Sequence, residues 1–442
     1  MIGMKSKFKI GDLLLSLGTV IVFVLSIVLW TFIMTNDQYF SRIDQTNSVT
    51  QHTHNQRGQA FNNLYVPTSS YGFENGQPYR LYDAKKNLPL EFAKELKSVK
   101  YWGIKTISSD QKSYEKMLNN SVYLQLTFPN EISVNLFTKR KLTNKDKKFR
   151  RAFVSASNDS LYLGNDKTTT IYRINLANAD FSLLREYADN IKGKKPVKFV
   201  RTKDSYETFY TKQENWRVYS YLTTKQTDSY FVSRLLGTTN VTSRASKKDW
   251  TTYSLNYYTK LRVPSAASER NDLLYTRYEK QKEMTVNDRL LNSIELVHKL
   301  GLSEQDLRYF DSSNEITCYS NYIEGMPVFM GQHDPQISTK LTQDTVEVAF
   351  NNLDLQIPIP FDGQTRTLEP TDEVVQQLVN NGLKKAEIQR VIVAFRVEKD
   401  SSHDNLVNLI PVYFVKAYDQ WKSVEEWKQT DIASLARQEA KK

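Results

Sequence analysis

The stretch CYSNYIEGMPVFMG, residues 318–331, reads as two strands that reverse at Glu324-Gly325. A glycine at the centre of a tight turn between apolar runs is the local signature of a hairpin. Pro327 is tolerable there if the second strand lies at a sheet edge. The stretch supplies core and register rather than reactive groups, and the chain on either side has the same grammar. Upstream, the spacing predicts a helix over 284–300, with Leu290, Leu291, Ile294, Val297 and His298 on one stripe. Thr285 and Asp288 form its capping box and Gly301 its stop. Downstream come strands at 346–350 and 353–357, a helix over 371–379 ending near Asn381-Gly382, and strands at 391–398 and 406–418. Antiparallel strands with helices packed on one face make an α+β layer.

A smaller unit precedes it. Residues 216–222 are strand-like, Thr227 or Asp228 caps a helix through Leu236, and Gly237 occupies the left-handed position after it. Strand-like runs follow at 240–243, 250–263 and 272–280. The order loosely matches that of the later unit. The first unit has a helix near 90–98, strands at 122–128, 132–138, 150–155, 161–163 and 169–174, and a closing helix over 181–191. Turns are expected at Pro129-Asn130 and Gly164-Asn165, and the KGKKP run that begins at Lys192 marks the boundary.

The N-terminus is of another kind. LLLSLGTVIVFVLSIVLWTFIM, residues 13–34, carries no charge over 22 residues. At about 1.5 Å per helical residue it reaches across a bilayer core of about 30 Å. A cleavable signal would be shorter and end in a small-x-small site, whereas this run ends in Trp30, Thr31, Phe32, Ile33 and Met34. Lys5, Lys7 and Lys9 precede it and hold the N-terminus in the cytoplasm. The expected layout is therefore a cytoplasmic 1–12, a transmembrane helix 13–34, a polar tether 35–59, modules at 60–195, 196–282 and 283–430, and a tail 431–442.

Composition agrees with a folded, β-rich ectodomain: hydrophobic residues make up 40%, with 26 Tyr and 21 Phe. The single cysteine, Cys318, has no partner within the chain for a disulfide. A net charge of +11 would suit nucleic acid, but the topology removes the ectodomain from the cytoplasm. The basic runs KDKKFRR (145–151) and KGKKPVK (192–198) are expected as solvated loops, with attraction to anionic wall polymers or lipid headgroups as the alternative.

Catalytic templates are missing. The sequence has no GxGxxG, GxxxxGK[ST], HExxH, GxSxG or CxxC. Of the five histidines, His52 and His54 share the tether without a third ligand, His298 flanks an apolar helix face, and His333 sits in a turn-like GQHDP; His403 has no partner in pattern. No catalytic residue, cofactor site or metal site is assigned, and the chain is not read as an enzyme.

Beyond CYSNYIEGMPVFMG, the segments LEPTDEVVQQL (368–378) and IPVYFVKAYDQW (410–421) follow at characteristic spacings. With the anchor and the three-unit ectodomain, the chain resembles the YycH (WalH) family of regulatory proteins, most clearly from about Trp216 onward. The resemblance implies a role beside the WalK (YycG) sensor kinase of the WalK/WalR (YycG/YycF) two-component system in low-GC Gram-positive bacteria. There it would tune control of cell-wall metabolism together with YycI, a related single-span protein. It also implies that the last two modules resemble each other and the YycI fold.

For such a regulator the membrane segment is the natural contact. At 100° per residue, Ser16, Thr19, Ser26 and Trp30 fall within about 80° of one another, a small polar stripe suited to packing against another transmembrane helix. The expected partners are WalK, a YycI-like protein and, as a further option, a second copy of the chain. An anchored scaffold for anionic wall polymers is the runner-up, and a wall hydrolase comes third. The hydrolase would need two carboxylates about 5 to 10 Å apart in a cleft.

Overall fold

The computed structural model describes residues 19, 22–26, 64–83, 86–138, 147–245, 249–265, 268, 270–302, 307–313, 315–331, 336–359 and 364–439. The chain divides into two compact units, 1–53 and 54–442. In the first, residues 19 and 22–26 are helical and exposed. The rest of the expected membrane helix, with Ser16 and Trp30, and the tether lie outside the described residues. Among the described residues no helix is long and apolar enough to cross a membrane.

The second unit is a β-rich α+β structure. Its N-terminal half is, among the described residues, a nine-stranded sheet in the order Lys100–Ser108, Thr170–Ala177, Ser160–Asn165, Lys148–Val154, Leu124–Ser133, Ser69–Glu74, Gln77–Tyr82, Gly193–Arg201, Tyr206–Tyr210. Lys148–Val154 is buried on both faces beyond its first residue, so FRRAFV lacks in-out alternation and takes Arg150 and Arg151 into the interior. The KGKKPVK segment is not a solvated loop. Gly193–Arg201 pairs with Gln77–Tyr82 on one side and Tyr206–Tyr210 on the other, so the first sheet continues past the expected boundary.

The second half is built on a fourteen-stranded sheet among the described residues. Its spine is the hairpin Ile388–Lys399 with Leu406–Ala417, two twelve-residue strands. Tyr219–Lys225 pairs with Leu406–Ala417, and Asp272–Tyr278 with Thr345–Asn351, so strands from 219–278 and from 307–423 share one sheet. A two-stranded sheet joins Glu214–Arg217 to Thr365–Leu368.

Local chemistry accounts for the helix ends. Thr227 caps Asp228–Leu236 by accepting from Tyr230 N, and Gly237 ends that helix at φ 75°. The Thr285–Asp288 capping box is formed in both directions at the start of Val286–Leu300, and Gly301 follows at φ 63°. The stripe of that helix needs one correction. Leu290, Ile294 and Val297 are buried, but Leu291 is exposed and His298 half-buried, because Ser293 takes the buried position instead.

Two further expectations fail in the first sheet. Pro129-Asn130 is not a hairpin turn: Leu124–Ser133 runs through it with a register shift between Thr127 and Ile132. Residues 132–138 are not a strand either, since Val134–Phe137 closes a helical turn with Thr138 N bonded to Val134 O. The strands Leu307–Ser313 and Ile337–Leu341 were not anticipated from sequence.

Candidate functional site

The hairpin at 318–331 is where the two sheets meet. Ile316–Ile323 and Met326–Phe329 pair Ile323 with Met326 and Tyr322 with Pro327. The turn residues Glu324 and Gly325 have φ of 53° and 70°, the two positive values a type I′ turn requires. Met326–Phe329 is an interior strand rather than an edge: Val328 and Phe329 pair in parallel with Phe395 and Arg396. Pro327 is tolerated because that ladder begins one residue after it. The turn itself presses on the first sheet. Arg80 donates from Nη2 to Glu324 O at 2.7 Å, and a Cβ on Gly325 would lie 2.4 Å from Thr68 O.

Behind the turn lies a cavity of about 70 Å³, lined on one side by Thr68, Ser69, Tyr71, Arg80, Thr127, Arg150 and Glu207 and on the other by Phe310, Tyr322, Met326, Pro327 and residues 390–393. Around it runs a buried ionic network. Arg150 Nη1 sits 2.6 Å from Glu207 Oε1 and 3.1 Å from Asp166 Oδ2. Arg151 Nε is 2.8 Å from Asp166 Oδ1, and Tyr114 donates to the same oxygen at 2.6 Å. Across the junction Asp311 Oδ2 accepts from Lys416 Nζ at 2.7 Å and Trp421 Nε1 at 2.9 Å, and Asn130 of the first sheet donates to Asp311 Oδ1. Arg390 bridges the halves, 3.6 Å from Glu207 and 3.8 Å from Asp311.

The electrostatics follow from burial. Desolvation pushes the Asp166 carboxyl up, but the guanidiniums of Arg151 and Arg150 outweigh it and hold the group below the usual carboxylate range. Asp311 behaves alike, burial being overcome by Lys416 and Arg390. Burial pushes the Asp354 carboxyl up to about 6, the hydrogen bond from Gln356 offsetting it only in part. The arrangement does not offer an acid paired with a base: Glu207 is the one carboxylate among the described lining residues, and Arg150 faces it directly. Among the described residues no three of His, Cys, Asp and Glu cluster as a metal site would need.

Thr19 and Ser26 of the expected partner stripe are helical and exposed; Ser16 and Trp30 lie outside the described residues. His298 is half-buried, His403 is exposed with Nδ1 3.2 Å from Asp400, and His52, His54 and His333 lie outside the described residues. Cys318 is half-buried. Sequence reasoning missed Arg150, Arg151 and Arg390, treating the first two as part of a surface run. The available signal was arginine, not lysine, set directly against apolar strand residues: Phe149 and Ala152 flank one pair, and Val391 follows Arg390.

Two family models cover nearly the whole chain. "YycH protein, N-terminal domain" matches residues 9–192 and "YycH protein, C-terminal domain" matches 208–431. The chain belongs to the YycH family. The crystal structure of YycH from Bacillus subtilis superposes with a TM-score of 0.67 at 13% identity, covering 82% of this chain and 96% of that one. No curated protein matches significantly. Membership in the YycH family implies a membrane-associated regulator of the WalK (YycG) two-component system.

Proposed function

We propose that this chain is a single-pass, extracytoplasmic regulator that tunes a WalK-type kinase controlling cell-wall metabolism, acting together with YycI. The carrying observation is that the N-terminal family model begins at residue 9 and so takes in the apolar run 13–34 together with the first sheet. An apolar 22-residue segment preceded by Lys5, Lys7 and Lys9 keeps the N-terminus in the cytoplasm and the bulk outside. Influence on a cytoplasmic kinase output then passes through neighbours in the same bilayer. Ser16, Thr19, Ser26 and Trp30 are the contact stripe in this reading, against a helix of WalK, of YycI or of a second copy of the chain. Interhelical contacts of small polar residues contribute about 0.6 to 2 kcal/mol each in lipid. In this reading the second sheet, which joins strands from 219–278 to strands from 307–423, presents its surface to the YycI ectodomain.

The test is the triple substitution Ser16→Leu, Thr19→Leu, Ser26→Leu. Co-purification with the kinase should fall several-fold while the ectodomain keeps its melting temperature. Unchanged recovery of the kinase would remove the stripe from the account.

A further inference from the structure

We propose that the cavity between the two sheets is a binding site for a small oxyanion, a carboxylate or phosphate group gripped by Arg390 with Arg80 and Arg150. The charge balance is the first argument. Three guanidiniums and one carboxylate face the cavity among its described lining residues. The neighbouring carboxylates are already committed, Asp166 between Arg151 and Arg150 and Asp311 to Lys416 and Trp421. Buried positive charge in excess calls for a counter-charge.

Arg390 supplies the second argument. It is 7% exposed, and its Nε and Nη1 have no hydrogen-bond partner among the described residues. The nearest carboxylate oxygens, at 3.6 and 3.8 Å, are beyond hydrogen-bond reach. The side chain is held in place all the same, its guanidinium 5.1 Å from the centre of the Trp421 ring. Buried donors left without an acceptor on a fixed guanidinium call for an oxygen ligand beside it. A volume of about 70 Å³ admits such a group, since a single water needs only about 10–15 Å³ on the same measure. Apolar walls at Phe310 and Met326 keep the local dielectric low, which strengthens the attraction of the guanidiniums for an anion between them.

The proposal stands apart from kinase regulation, and its readout is binding. The purified full-length chain in detergent is titrated calorimetrically with inorganic phosphate and, separately, with acetate, with sodium chloride at matched ionic strength as control. One saturable site per chain is expected for phosphate, acetate or both, and none for chloride; which titrant binds names the ligand class. Arg390→Gln should weaken binding at least about tenfold, the loss expected for one charge-assisted hydrogen bond, while Arg390→Lys retains part of it. If Arg390→Gln does not fold, wild-type crystals soaked in selenate decide, through an anomalous peak in the cavity within hydrogen-bond distance of the Arg390 guanidinium. Equal effects of all three salts, undiminished binding by a folded Arg390→Gln variant, or selenate confined to the protein surface as an adventitious ion only would overturn the site.

Discussion

Gly325→Ala probes whether the 318–331 hairpin is seated against the first sheet as described. Two costs add. At φ 70° an alanine pays the left-handed penalty of about 1–2 kcal/mol, partly offset by about 0.4–1 kcal/mol because alanine also restricts the unfolded chain. The new Cβ would also sit 2.4 Å from Thr68 O, a backbone atom that cannot swing aside, so the turn must lift and strain the Arg80–Glu324 bond. Overpacking of this kind costs about 1–3 kcal/mol. The expected total is about 2–4 kcal/mol. Gly237 supplies the control: it has φ 75° but nothing within 4 Å of its would-be Cβ, so Gly237→Ala carries the conformational cost alone, about 1 kcal/mol. Urea unfolding of both variants, followed by tryptophan fluorescence, gives the difference directly. If Gly325→Ala is no more destabilising than Gly237→Ala, the turn does not press on Thr68 and the junction described above is wrong.

Other outcomes follow from the ionic network. Asp311→Asn leaves Lys416 buried without its counter-charge and should cost about 3–5 kcal/mol in urea unfolding; a loss below about 1 kcal/mol would show the network to be solvated. Asp354 titrates near 6 in the folded chain, above its unfolded value, so the folded state is penalised above that pH and stability rises as pH falls from about 6 towards 4. Asp354→Asn should therefore stabilise at pH 7.5 by about 1–2 kcal/mol, after allowance for screening, and have no effect at pH 4, measured as unfolding midpoints across pH. Asp166 and Asp311 have the opposite sign: their contribution is present above the ordinary carboxylate range and is lost as pH drops through their lowered values, so wild-type stability should fall steeply below about pH 4.

Elements governed by neighbouring residues were legible. The Thr227 cap, the Thr285–Asp288 box, Gly237, Gly301 and the Glu324-Gly325 turn each need only a few consecutive side chains to specify them, and each formed as expected. Elements decided by distant partners were not. Residues 132–138 alternate like a strand, yet the chain turns helical at Val134, and Leu307–Ser313 has too few strand-forming residues to announce itself before Ile316–Ile323 pairs with it. The cavity was the least legible feature, because its cations come from positions 80, 150 and 390 and only the meeting of two sheets brings them together.

The central claim is that the chain acts on a kinase through the membrane it shares with it. Photo-crosslinking residues placed one at a time from Leu13 to Met34 in living cells measure this directly. The account predicts adducts with a WalK-type kinase or YycI that recur with helical periodicity at Ser16, Thr19, Ser26 and Trp30. Adducts with neither protein at any position, or mature chain that begins downstream of Met34, would contradict it.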